Sequence, residues 1–370
     1  MRILRENTYA TYPHCNGYYD GGRRVVLGRA DGVEELIGVP LDGADGGDQD
    51  EQVLLPASVI AAESGISVEP WSPEEPLRSV PWFDVALEAQ TLICVRGDAV
   101  FIVELAAAER TPRVAYRPRD DWALDGLSSI TADGRTAVIG EARDGEYRGL
   151  LLDVADGTAR EIVRHPWHAN HFHFSPSDES WVGYSHEGPA ASLDDRLWGW
   201  HADHAPQGRP MVDQRALSDE PGEFVALGHE RWSFHDTSVM AVAYGESVAG
   251  PRGIYEVHAD GRPPRLVSAG DRDWHCGVSR DGSRIIVDTT GPAFAPGRGW
   301  ADAGTRSSLV LIDVATGERR MMADTGFIAH PYHPHPSFTP DGSAVVLNHV
   351  EHGADGRVLR RGAALLRIDR

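Results

Sequence analysis

Seventeen histidines stand in this chain of 370 residues, and several fall in an ordered pattern. The densest run is His330-Pro-Tyr-His333-Pro-His335-Pro336. In an extended strand, residues i and i+2 share a face, so His333 and His335 are expected to point the same way. The prolines permit a bend that brings His330 alongside. Neutral imidazoles are borderline ligands, and four of them converging on one point fit a divalent cation such as Mn²⁺, Fe²⁺, Zn²⁺, Ni²⁺ or Cu²⁺. Such a cation polarises an oxygen bound to it. Any one of these histidines is more often a hydrogen-bonded liner of a channel than a ligand, and His-Pro tracts also occur in exposed loops.

The fourth member of that set, His275, comes from far away in sequence, so a fold that repeats must bring it in. The chain does repeat. Thr131-Ala-Asp133-Gly134, Ser279-Arg-Asp281-Gly282 and Thr339-Pro-Asp341-Gly342 each precede a run of β-branched and apolar residues. Looser copies surround Asp178 and Asp236, and weaker ones Asp20 and Glu88. Asp-Gly between two extended runs is a hairpin signal, because tight hairpin turns need positive φ. Three of the six intervals between these turns are 45 residues, the size of a four-stranded blade. Second hairpins follow at Asp156-Gly157, Asp260-Gly261 and Thr316-Gly317. The pattern predicts an all-β chain: a single seven-bladed β-propeller over 1–370, with four-stranded blades around a central channel. Closure pairs Leu365–Asp369 with N-terminal strands, hiding both sheet edges. The segment at about 40–80, rich in Gly, Asp, Glu and Pro, reads as a surface insertion. Stretches 185–228 and 288–305 read as long connections that extend one mouth.

Counting back from each turn acid sets the histidines in register. His14, His275 and His335 lie six residues before Asp20, Asp281 and Asp341, while His171 and His229 lie seven before Asp178 and Asp236. The segment before the turn is the innermost strand of a blade. Matching positions in a closed ring therefore converge on one axis.

Composition removes whole classes of function. The formal net charge is −21, which argues against nonspecific binding to nucleic acid or an anionic membrane. Every base is arginine; with no lysine there is no Schiff-base chemistry and no phosphate loop ending in Gly-Lys-Ser/Thr. Three scattered cysteines make no disulfide framework. No apolar run has the ~20 residues of a membrane helix, the N-terminus lacks a signal-peptide core, and the chain reads as cytoplasmic. Neither a Gly-x-Ser-x-Gly elbow nor a His-Glu-x-x-His helix is present.

Four segments, in order and approximate spacing, resemble the oligogalacturonate lyases, seven-bladed propellers that cleave short pectic oligosaccharides by β-elimination. His171 to Pro189, which ends His186-Glu187-Gly188-Pro189, resembles that family's His-Glu-Gly-Pro-Trp region. Asp195-Arg196-Leu197-Trp198 resembles its Arg-Ile-Trp, and Gly228-His229-Glu230-Arg231-Trp232 its Gly-His-Glu-Phe-Trp. Trp274-His275 and the run from His330 to Asp341 resemble its metal strands. The likeness covers roughly 165–350, with a weaker echo near 9–32. It implies a divalent metal, foremost Mn²⁺, held by His275, His333 and His335. His330 falls where the family usually has a glutamine ligand, which leaves Zn²⁺, Fe²⁺ or Ni²⁺ open as well. It further implies His229 as catalytic base and Arg196 as its helper. His171 and His186 fall within its motifs and are expected at the substrate; His14 has no assigned role. Ala190 stands where the family has tryptophan after Gly-Pro, removing a surface for stacking a sugar, and Arg231 replaces an aromatic beside the base.

The resemblance implies elimination from a 4-linked uronate, which removes the C5 proton and loads a second negative charge onto the adjacent carboxylate. A metal and a guanidinium stabilise that charge, and a neutral histidine takes the proton. The expected partner is a small acidic oligosaccharide, short because a chain of charge −21 repels a long polyanion. Two alternatives stand beside this reading: a metal-dependent reaction of different chemistry on another sugar acid, and a non-catalytic propeller that binds a peptide or protein.

Overall fold

The structure, a computed structural model, describes residues 1–29, 33–42, 50–65 and 80–368. Short antiparallel strands dominate it, with one seven-residue helix, Ala57–Glu63. The Asp-Gly turns explain why the strands reverse where they do. Gly134, Gly282 and Gly342 have φ of +73°, +71° and +67°, which side-chain-bearing residues rarely adopt. The acid before each glycine fastens the turn. Asp133 accepts from the Thr131 hydroxyl at 2.7 Å and from the Arg135 amide at 3.0 Å; Asp281 and Asp341 accept from the matching groups of Ser279, Ser283, Thr339 and Ser343.

Among the described residues these hairpins form six hydrogen-bonded sheets that follow one another along the chain. Five have four or five strands. The sixth has eight, because Arg319–Gly326 touches Ala344–His352 through one residue pair, Gly326 with Val350. Seven separate sheets were expected; that single bridge fuses two units into one ladder. The ends of the chain close on each other, through Gly362–Leu365 rather than the expected Leu365–Asp369. Arg2–Glu6 pairs antiparallel with Val358–Arg367, Arg2 opposite Leu365 and Glu6 opposite Gly362, while Asp369 lies outside the described residues. Of the insertion expected at about 40–80, residues 43–49 and 66–79 also lie outside them. The described part holds the strand Gln52–Leu55, hydrogen-bonded to Leu36–Pro40, and the helix. Apolar residues weld neighbouring units: Val138, Phe172, Val182, Tyr184 and Trp200 form a seam between two sheets, and Ile286, Leu309, Val345, Leu347 and Leu366 one between the two halves of the eight-stranded sheet.

The first strands of three successive sheets carry histidines: Ala169–Phe174, Leu227–Trp232 and Asp273–Val278. Each is bulged where its histidine stands, the register breaking between Asn170 and His173, Gly228 and Arg231, and Asp273 and Cys276. A bulge places two residues against one and re-aims a side chain. His171 and His229 accordingly have left-handed backbones, φ 59° and 47°.

Candidate metal centre and cleft

His275, His333 and His335 each offer a ring nitrogen, and these atoms all lie within 4.8 Å of one another. The three rings are buried. His275 Nε2, His333 Nδ1 and both ring nitrogens of His335 have no protein hydrogen-bond partner. Leaving several buried lone pairs unsatisfied at one point is costly unless something there accepts them. Neutral imidazole donors with exposed lone pairs are what a borderline divalent cation takes, so the residues fit such an ion. Burial, then neighbouring histidines, hold all three well below the ordinary imidazole pKa, which keeps them neutral. His330 stands beside this group, its ring 3.8 Å from that of His333 and 5.1 Å from that of His335.

The route by which His333 and His335 meet differs from the expected one. Residues 329–336 form no strand; the strand begins at Ser337–Phe338. His335 takes a left-handed φ of 45°, so a bend rather than a pleat turns its ring toward His275, with the centroids 4.4 Å apart.

Asp288 holds the centre together, and the sequence reading missed it. Its buried carboxylate accepts the His275 backbone N–H at 2.7 Å and the His335 backbone N–H at 3.1 Å. It also accepts His275 Nδ1–H at 2.9 Å, which leaves Nε2 as the nitrogen with the lone pair. Tyr12, also missed, sits among the histidines, its ring 4.6 Å from His335 and 4.9 Å from both His14 and His171.

His229 stacks on His275 at 4.2 Å and donates Nδ1–H to the Trp274 carbonyl. That contact makes Nε2 the basic nitrogen. Burial lowers its pKa to about 3, with His171 and Arg196 adding to the effect. His229 lines a cleft of about 400 Å³ together with Arg196, Tyr244, Trp274, Ala190 and Trp300. Arg196 is buried, donating to the Gly188 carbonyl at 2.7 Å and to Glu187 at 3.0 Å, its guanidinium 5.8 Å from the Tyr244 ring.

The remaining expected residues divide. His171 joins the group around Tyr12. His14 stacks on His173 at 4.5 Å, and its carbonyl accepts from Arg231. His186 stands apart from the cleft lining, its Nδ1 at 2.8 Å from Asp195 and its ring 4.2 Å from Trp167. A second convergence of acids and histidine, Asp236, Glu256 and His258, is neutralised by Arg262 and Arg265.

The strand order, the chain closure and the histidine-lined centre define a β-propeller with an open cleft beside that centre. No family model matches the chain. It is 24% identical over 273 residues to the oligogalacturonide lyase of Pectobacterium atrosepticum, covering 66% of this chain and 67% of that one. It is 25% identical over 207 residues to the oligogalacturonate lyase of Dickeya dadantii, covering 54% of this chain and 51% of that one. Among solved structures, an oligogalacturonate lyase in complex with manganese superposes with a TM-score of 0.76 at 19% identity, over 99% of this chain and 92% of that one. The oligogalacturonate lyase from Vibrio parahaemolyticus gives 0.73 at 16% identity, over 99% and 93%. The chain is similar in sequence to these oligogalacturonate lyases and shares the fold of the solved ones. Among the described residues no helix is long and apolar enough to cross a membrane.

Proposed function

We propose that the protein is a metal-dependent lyase that cleaves short oligogalacturonides by β-elimination. The observation that carries this reading is the stacking of His229 on His275. It puts a neutral imidazole with a free Nε2 beside the converging nitrogens of His275, His333 and His335, in a cleft that also holds Arg196. These three histidines would hold the cation, with His330 next to them; Mn²⁺ is the first choice and Zn²⁺, Fe²⁺ and Ni²⁺ remain open. When bound, the ion supplies Lewis-acid stabilisation of the uronate carboxylate as the C5 proton leaves.

The protein's own groups do the rest. His229 Nε2 takes the C5 proton, while the Trp274 carbonyl fixes the tautomer through Nδ1–H. Its low pKa keeps it unprotonated at neutral pH, and an anionic substrate beside it raises its basicity, because opposite charge favours imidazolium. Arg196, oriented by Glu187 and the Gly188 carbonyl, offers its remaining N–H groups to the carboxylate on which charge accumulates. The C5–H electron pair forms the C4–C5 double bond, and the C4–O4 bond breaks with its electron pair leaving on O4, which takes a proton from water to become the hydroxyl of the released sugar. Neither His171, among the rings around Tyr12, nor His186, bonded to Asp195, lines the cleft, and neither is given a substrate contact. The eight-stranded sheet, divided at its single bridge, brings the propeller to seven blades in one domain.

The test is incubation of metal-loaded protein with oligogalacturonides while following the ultraviolet absorbance of the 4,5-unsaturated product. Appearance of the chromophore is expected. No increase with any of Mn²⁺, Zn²⁺, Fe²⁺ or Ni²⁺ overturns the reading.

A further inference from the structure

The cleft contains one large exposed aromatic that the elimination step does not use. Trp300 is 53% exposed and lines the same cleft as His229 and Arg196. Single exposed apolar residues are ordinary on a protein surface. What sets this one apart is how firmly it is mounted. It belongs to the short 3-10 turn Gly299–Asp302, and its backbone N–H donates to Glu246 at 2.6 Å. Gly299, at φ +61°, lies so close to Glu246 that a Cβ there would stand 2.2 Å from the carboxyl carbon. A Cβ on Gly245 would stand 2.4 Å from the Gly299 nitrogen. Arg272 ties down the rest of the loop, bonding Asp302 and the carbonyls of Thr290, Ala295 and Pro296. The indole packs edge-to-face on Trp274 with centroids 4.6 Å apart, and Trp274 supplies the carbonyl that orients His229.

A firmly mounted, half-exposed indole in the cleft wall presents a flat apolar surface at low entropic cost. The wall Pro189-Ala190-Ala191 lines the same cleft with small side chains and so leaves room for a ring. Arg196 is the one cation lining the cleft among the described residues, and Glu246 and Asp273 add carboxylates. Attraction of a second uronate carboxylate therefore does not explain binding at the Trp300 end.

The geometry points to Trp300 as the platform of a subsite for a second sugar ring, gripped through its apolar C–H face next to the ring that reacts. This inference rests on reading the cleft as an oligouronide site. The subsite selects shape rather than charge, so it takes a neutral or methyl-esterified ring as readily as an acidic one. It supplies from a different loop the stacking surface that Ala190 lacks.

The experiment compares the wild type with Trp300→Ala and Trp300→Phe, all metal-loaded, using trigalacturonide and a trigalacturonide methyl-esterified only on the ring next to the one that reacts. Elimination is followed by absorbance, and direct binding by calorimetry in a His229→Ala background. Trp300→Ala is expected to raise KM and Kd for both sugars by about five- to tenfold with kcat within about twofold, and Trp300→Phe to fall between. Melting without sugar checks that the fold is intact; should Trp300→Ala unfold, Trp300→Phe carries the test. Unchanged KM and Kd with active wild type overturn the platform and leave the lyase reading standing. A loss confined to the acidic sugar also overturns it. Trp300-dependent binding without elimination keeps the platform and removes the lyase reading. A wild type that binds neither sugar overturns the platform.

Discussion

Asp288→Asn isolates the group that orients the proposed metal ligands. One carboxylate accepts three N–H donors: the His275 backbone at 2.7 Å, His275 Nδ1 at 2.9 Å and the His335 backbone at 3.1 Å. Asparagine keeps the volume but offers one acceptor oxygen, and its NH₂ group confronts at least one of those donors. A hydrogen bond to a charged group contributes about 1.5–3 kcal/mol. Part of that loss appears as lower stability and part as freedom of the His275 ring. Partners behind metal-bound histidines typically govern about 10–100-fold in metal affinity, or about 1.4–2.7 kcal/mol. We therefore expect Asp288→Asn to weaken Mn²⁺ binding within that range by calorimetric titration, and to shrink the rise in Tm that Mn²⁺ produces. Asp273→Asn is the control: that buried acid lies on the strand of His275 but pairs with Arg319 rather than an imidazole. It should lower Tm and leave Mn²⁺ affinity alone. An Asp288→Asn protein with near-native circular dichroism and Mn²⁺ affinity within twofold of wild type would refute the assignment of His275 as an oriented ligand.

Four further outcomes are expected. His229→Ala should lose at least about a hundredfold in kcat with metal content unchanged by elemental analysis; retained turnover would take His229 out of the mechanism. Arg196→Lys keeps the charge but not the fork that meets Glu187 and Gly188, so kcat/KM should fall by about 10² while Mn²⁺ affinity holds. His330→Gln should keep activity and shift preference toward Mn²⁺ over Zn²⁺ in competition, since an oxygen donor replaces nitrogen; unchanged preference would place His330 outside the ligand set. His173, held to about 3 by burial against about 6.5 in the unfolded chain, contributes stability that is complete above pH 6.5 and is lost as pH falls toward 3. Its share of that loss is about 2 kcal/mol by pH 5, and urea unfolding of metal-free His173→Asn should show a correspondingly flatter pH slope; an unaltered slope would contradict this.

The parts of the fold that rest on local chemistry were legible in the sequence. Asp133-Gly134, Asp281-Gly282 and Asp341-Gly342 announce their turns because only a few residues tolerate that backbone. The convergence of His275 with His335 followed from their common distance to a turn. What escaped reading depends on contacts between units. Tyr12 looks like any core tyrosine until six imidazoles from several units surround it. The fusion of two units through Gly326 and Val350 turns on one residue pair that no periodicity encodes. The non-strand path of 329–336 also escaped, because proline fixes φ without saying which way the chain bends.

That bend belongs to a wider device. Among the described residues, eight non-glycine positions have left-handed backbones, and three of them are His171, His229 and His335. A left-handed residue with a Cβ costs about 1–2 kcal/mol, so the three together store several kcal/mol of strain. Packing alone gives no reason to retain it, since a regular strand would bury the same rings in a pleat and point alternate residues away from the axis. The bulges at Asn170–His173 and Gly228–Arg231 do the opposite, breaking the alternation where an imidazole is needed. Replacing His171 with Gly would relax its backbone and Ala would retain the strain, so the two variants should differ in stability by about 1 kcal/mol in favour of Gly. Equal stability would mean that the left-handed turn costs nothing, and the link from bulge to ring direction would fail.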